Sequence, residues 1–314
     1  MNDVNILLFR MHSSTSARFG RFLSYIEEFE RKNFTLDDDQ RWEIHVSVDT
    51  TVYSPSHHLL SRLRPLLQRR AIHHLHAFND SVLFSKYPSL TRLHPHLPPW
   101  FFSQPSWSRL FHLEAIVLWW NRARARAPLS RPNSRSRSRS ISRHRRVRFV
   151  WVIEDDVGFT GGGPADFISQ RLFADSPADL ITYGSFFTIY HERERASWKS
   201  RWAYSDAVSD EWGRVVHERD QVYTQEHVQR LSWAALETYR ALLQHGLHGQ
   251  SELASLTLLK VLCPSSLRVD FIPRNMLGGD GKLYTVDGLV SREEFEKQDH
   301  DKDTTPRVFH ALKW

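Results

Sequence analysis

The first 51 residues hold the pattern that most narrows what this chain can fold into. "NILLFRMH" (5–12) is a compact apolar run suited to a buried strand. "STSARFGRFLSYIEEFERK" (14–32) follows, with apolar residues at Phe19, Phe22, Leu23, Ile26 and Phe29. That spacing is helical, and the Ser and Thr before it are suited to cap the first turn. "WEIHVSVDTT" (42–51) then alternates as a strand does and ends on Asp49. Strand, helix and strand at this length make a βαβ unit, so an α/β fold with a mostly parallel central sheet flanked by helices is expected. At 314 residues the chain can bury a full core, and one domain over 1–314 is expected.

Further elements follow the same periodicities. A helix-like stretch over 57–70 gives way to a Pro- and His-rich passage, "RLHPHLPPWFF" (92–102), suited to a sheet edge or a cleft wall. "WSRLFHLEAIVLWW" (107–120) reads as an apolar helix, "DFISQRLFAD" (166–175) as a helix and "ADLITYGSFF" (178–187) as a strand. Residues 191–224 are Trp- and charge-rich with weak periodicity and read as a substrate-facing loop region. The pattern predicts an amphipathic helix over 226–246, stopping at Gly246, a second over 250–262, a short strand in "LRVDFIP" (267–273) and a polar tail ending in "RVFHALKW" (307–314).

Composition bounds the class. Eleven Trp, 9 Tyr and 19 Phe argue for a folded chain over most of its length. A single cysteine, Cys263, excludes an internal disulfide framework and any CxxC metal site, and fits a reducing compartment. No apolar stretch approaches the roughly 20 residues that span a bilayer. The opening "MNDVNILLFR" does not resemble a signal peptide. From this chain alone a cytoplasmic address is expected, with the Golgi lumen as the alternative if an anchor segment is missing.

The net charge of +6 is concentrated in one place. Residues 122–148 hold 11 Arg and no Asp or Glu, and removing those charges leaves −5 for the remainder. Alternating Arg and Ser cannot bury apolar surface, so 122–147 is expected to be a disordered insertion within the domain. Runs such as "RSRSRSIS" resemble the Arg/Ser-rich segments of splicing-related proteins. That likeness supplies a rival function, a non-catalytic RNA- or protein-interaction protein in which arginines neutralise phosphates and serine phosphorylation reverses the effect. The tract carries no interleaved aromatics and no RNP-like sequence accompanies it.

The chemistry concentrates in "RVRFVWVIEDDVGFTGG" (146–162), an apolar run that climbs into Glu154, Asp155 and Asp156 before Gly158 and Gly161. Clustered carboxylates are costly unless water, a cation or a donor-rich ligand meets them. In an extended chain Glu154 and Asp156 share one face while Asp155 points the other way. Ligands of open α/β sheets sit beyond the carboxyl ends of strands, and oxygen-only donors favour Mg²⁺ or Mn²⁺ over zinc. A solvated acidic loop is the alternative.

A hydrophobic strand ending in an acidic D-x-D-type motif resembles the signature of GT-A glycosyltransferases, with Glu154 standing where that family often has its first Asp. The resemblance implies a GT-A-like fold, a nucleotide-sugar donor, a divalent cation (Mn²⁺ or Mg²⁺) and a glycan, protein or small-molecule acceptor. It implies that Glu154 contacts ribose or metal, that Asp156 ligates the metal, and that Asp155 belongs to the substrate-binding set. "GQSELASLTLL" (249–259) is similar to the helix start that carries the catalytic base in inverting members, placing Glu252 in that role. "VFHALK" (308–313) resembles the late histidine segment that completes the metal shell, placing His310 there and Lys313 on a phosphate. Asp49, closing the early βαβ unit, would lie near the base or ribose. Glu252 also reads as a local cap, since an acidic group at a helix start interacts well with the helix dipole.

The remaining histidines, among them His57, His58, His73, His74, His76, His94 and His96, lack the spacing or acidic partner of a zinc signature. They are expected to be solvated or cleft-lining.

Overall fold

The computed structural model describes residues 3–11, 16–32, 40–51, 61, 63–65, 73–93, 111–126, 146–188, 222–249, 251–262, 266–278, 292–299 and 305–309. The predicted βαβ unit is present as β1 (Asp3–Met11), α1 (Ser16–Arg31) and β2 (Gln40–Asp49), with β1 and β2 parallel. β3 (His73–Phe78) extends the sheet on one side, and α2 (Asp80–Lys86) and α3 (Leu90–Leu93) follow it. α4 (His112–Arg126) leads to β4 (Arg146–Glu154), which pairs in parallel with β1. The expected 122–147 insertion is therefore helical as far as Arg126 and already strand at Arg146; residues 127–145 lie outside the described set.

β5 (Gly158–Thr160) precedes α5 (Pro164–Ile168) and α6 (Arg171–Ala174), two short helices where one was expected. Gly161 and Gly162, at φ 68° and 122°, make the turn between β5 and α5, a backbone path that a side chain would strain. Then come β6 (Leu180–Thr188), β7 (Val222–Ser232), α7 (Trp233–Gln244), α8 (Ser251–Leu262), β8 (Val269–Phe271), α9 (Arg292–Asp299) and β9 (Arg307–Phe309).

Among the described residues, seven strands form one sheet in the order β3-β2-β1-β4-β7-β6-β8. Four of its six pairings are parallel, and the two antiparallel ones both belong to β7. The fold is thus α/β with a mostly parallel central sheet flanked by helices. Alternation along each strand divides the core. Leu7, Phe9, Met11, Ile44, Val46, Val48, Trp151 and Ile153 pack on one face under α1, α5 and α6. Val4, Ile6, Leu8, Val150 and Val152 pack on the other under α2, α4, α7 and α8.

The structure corrects the helix predicted over 226–246. Residues 226–232 are the second half of β7, and the helix starts only at Trp233, where the Ser232 hydroxyl accepts a hydrogen bond from Ala235 N–H. β7 hides in the sequence because most of its buried positions, Thr224, His227, Gln229, Arg230 and Ser232, are polar. Arg230, 1% exposed, donates to the carbonyls of Phe173, Ser176 (2.9 Å) and Ala178 (2.8 Å) and lies 3.8 Å from the Phe149 ring centroid. Burial, with Arg148 adding, pushes its guanidinium down to about 10, still charged at neutral pH. Arg230→Leu strands three carbonyls at once, so a loss of about 3 kcal/mol is expected, read as a lower urea midpoint at unchanged slope.

Candidate functional site

The site begins as a row of three side chains on adjacent strands. Arg10 of β1 stands directly across from Glu154 of β4, and since Ile153 opposes Val228, the next position on β7 is His227. All three project on the α4 face of the sheet, at the carboxyl ends of β1 and β4. Sequential strand order reverses between these two strands, the place where open α/β sheets bind ligands. Arg10 Nη1 donates to Glu154 Oε1 at 3.1 Å, and His227 Nδ1 bonds Glu154 Oε2 at 2.6 Å. His112, the first residue of α4, brings its Nδ1 to 3.0 Å from Oε1 without hydrogen-bond alignment. Glu154, 5% exposed, is therefore a carboxylate surrounded by groups that favour its charge.

The chain turns immediately after Glu154, closed by Val157 N–H to the Glu154 carbonyl. This turn separates the two aspartates. Asp155 faces Arg18 of α1 at 3.7 Å. Asp156 joins Glu154 and His227 in a group whose donor atoms all lie within 4.8 Å of one another. The expected shared face of Glu154 and Asp156 is thus present, produced by a turn instead of a continued strand. Arg21, one helical turn beyond Arg18, also feels this charge. Burial lowers its pKa, Arg18 lowers it further, and Asp156 and Asp155 oppose the fall. Three arginines, Arg10, Arg18 and Arg21, thus balance three carboxylates in one cradle.

Two carboxylates and an imidazole at this spacing fit a divalent cation. A neutral His227 that donates from Nδ1 to Glu154 carries its lone pair on Nε2, and a carboxylate orienting an imidazole in this way is the usual support of a metal-bound histidine. The apolar spacing that predicts a helix over 226–246 hides this imidazole, which lies on a strand. A signal for the row was nevertheless present in the sequence: Arg10 sits at the end of an apolar strand, and a buried guanidinium demands a carboxylate.

The other predicted residues are distributed as follows. Asp49 ends β2 at the same edge of the sheet, buried, with Oδ1 accepting Thr51 N–H at 2.9 Å. Glu252 is the second residue of α8, which packs on β7. His310 and Lys313 lie outside the described residues. The strand before them, β9, is antiparallel to β5, with Phe309 opposite Gly158, two residues past Asp156.

A second donor group, Glu43, His45 and His74 on β2 and β3, likewise has its donor atoms within 4.8 Å of one another. Here the structure supplies the acidic partner that the sequence around His74 lacks, and it buries His76 at 2% exposure instead of leaving it solvated. Trp119 Nε1–H donates to His45 Nδ1 at 3.2 Å. Indole nitrogen only donates, so the neutral His45 ring carries its proton on Nε2 and turns it toward Glu43 at 3.4 Å. A protonated nitrogen is not a ligand, and this group is a hydrogen-bonded packing cluster under α4.

No family model and no curated protein sequence matches the chain. Among solved structures, the chain is similar to mouse xyloside xylosyltransferase 1 in its apo form, at 10% identity and a TM-score of 0.43, over 98% of this chain and 97% of that one. No residue role is carried across at that distance. Among the described residues no helix is long and apolar enough to cross a membrane.

Proposed function

We propose that this chain is a glycosyltransferase that moves a sugar from a nucleoside-diphosphate sugar to an acceptor, with Mn²⁺ or Mg²⁺ as cofactor. The observation that carries the reading is the meeting of Glu154, Asp156 and His227 beyond the carboxyl end of β4, beside the reversal of strand order. The D-x-D-like character of "VIEDDV" supports it. Asp156 and His227 would hold the cation, with Glu154 fixing the His227 ring and sharing the charge. One imidazole beside two carboxylates moves the preference toward Mn²⁺, since Mg²⁺ takes oxygen donors almost alone. When bound, the ion supplies positive charge where the diphosphate leaves.

The remaining roles belong to this chain's own side chains. Arg18 and Arg21 project from the first turns of α1, the end of a helix where anions are favoured, and would meet diphosphate oxygens. Asp49 would approach the nucleoside. His310 would complete the metal shell, the backbone before it being paired beside the acidic turn, and Lys313 would contact phosphate. Glu252 would take the acceptor's proton.

The charge balance of the cradle makes the test specific. A cation alone meets three guanidinium groups, and a nucleotide alone meets three carboxylates, whereas the two together present complementary charge. In a thermal-shift panel of nucleoside diphosphates with and without Mn²⁺, stabilisation is expected only when both are present. A melting temperature indifferent to every combination would remove the proposal.

A further inference from the structure

Away from the acidic turn, Ser89, His248 and Glu114 form a continuous chain of hydrogen bonds from the surface to the core. Ser89 lies between α2 and α3, half-buried, and its Oγ is 2.5 Å from His248 Nε2. His248 Nδ1 is 3.0 Å from Glu114 Oε1. Glu114 is 0% and His248 3% exposed. A carboxylate only accepts, so the imidazole proton sits on Nδ1, Nε2 carries the lone pair, and Ser89 Oγ–H donates to it. Nucleophile, base and orienting acid thus stand in the order and tautomer that activate a serine.

Three local features place the hydroxyl for reaction. Gly246, at φ 78°, ends α7 in the left-handed conformation and turns the chain so that His248 returns to the start of α4. A Cβ at 246 would stand 3.7 Å from both Cβ and Oγ of Ser89, in van der Waals contact with the hydroxyl that the glycine leaves uncovered on that side. Tyr87 packs edge-on to His248, ring centroids 5.6 Å apart, and its buried hydroxyl has no hydrogen-bond partner among the described residues. Burial and the Glu114 charge hold that phenol well above its ordinary pKa, so it stays an O–H donor. Glu114 Oε2 likewise has no partner among the described residues. A purely structural carboxylate at zero exposure would be expected to use both oxygens.

We infer that Ser89, His248 and Glu114 are a second reactive centre, an acyl-transfer site that takes esters of small carboxylic acids. Small acyl groups follow from the clearance, which is that of one missing side chain at Gly246. Ser89 Oγ attacks the ester carbonyl carbon while its proton passes to His248 Nε2. The bond to the leaving alkoxide breaks as Nε2 returns that proton, releasing the alcohol. Water then attacks the acyl-serine, giving its proton to the same nitrogen, and the carboxylic acid leaves as Ser89 recovers its hydrogen. Glu114 is a positioning residue that acts through His248. None of these residues belongs to the proposed sugar-transfer machinery, so the inference stands or falls separately.

The test is labelling of the full chain by an alkyl fluorophosphonate, which forms an Oγ–P bond and releases fluoride. The adduct is expected on Ser89, absent in Ser89→Ala and formed at least ~10²-fold more slowly in His248→Gln. Ser89 and Tyr87 from the α2–α3 corner and Glu114 from α4 face His248. In Glu114→Gln the labelling should slow, because the amide no longer holds the Nδ1 tautomer of His248, and Glu114→Asp, which keeps the acceptor, should recover part of the rate. A wild-type chain without an adduct at Ser89, or one labelled as fast in His248→Gln as in the parent, overturns the inference. Should the variants fail to fold, the parent decides alone: labelling of Ser89 that persists in urea at the native rate refutes an activated serine, and its loss on unfolding supports one.

Discussion

Asp156→Asn is expected to abolish Mn²⁺-dependent nucleoside-diphosphate binding while leaving stability within about 1 kcal/mol of the parent. Asp156 is half-buried in a turn, beyond the last residue of β4, so a near-isosteric amide there disturbs no strand pairing. Its charge is another matter. With Asp156 neutral, the three arginines outnumber the carboxylates, and a divalent cation meets a net positive cradle with one anionic donor fewer. Calorimetric titration of the nucleotide with and without Mn²⁺ reads the effect directly. The variant should bind nucleotide with little response to the metal, and an unchanged metal response would take Asp156 out of the ligand set.

How much of this was legible in the sequence depends on which residues interact with near neighbours. β1, α1, β2 and β4 are set by their own apolar periodicity, because Leu7 and Phe9, or Trp151 and Ile153, need only a helix above them to be buried. β3 and β7 were missed for a shared reason. "HHLHAF" and "EHVQRLS" bury His76, His227, Gln229 and Arg230, and polar residues at buried positions erase the alternation that marks a strand. The apolar spacing of α7 could then be read backward through Ser232, although a serine before "WAAL" is itself a helix-start signal. At the site, the acidic turn was visible as a local cluster. Its partners were not, since Arg10 lies 144 residues and His227 73 residues from Glu154 in the chain. Only the sheet order brings them into one row.

That row separates the two acidic residues that the sequence treats as a pair. Glu154→Gln is expected to destabilise the fold by about 3–5 kcal/mol, the usual consequence of breaking a buried ion pair by removing one of its charges. Arg10 is 1% exposed and has Glu154 beside it, so the amide leaves a buried guanidinium facing a neutral group. His227 adds to the effect, because an amide that turns its NH₂ toward Nδ1 opposes donor to donor. A loss of this size is a large share of the 5–15 kcal/mol that typical domains possess. Urea unfolding should show a lower midpoint with no change of slope. The pair can be tested apart from the site's chemistry by removing both charges. Arg10→Met with Glu154→Leu replaces the ion pair by apolar groups on a face already lined by Leu8 and Val152, and should be less destabilising than Glu154→Gln alone. If the double variant instead loses the sum of the two single losses, Arg10 and Glu154 are not coupled. The row across β1, β4 and β7 would then not be what holds the acidic turn in place.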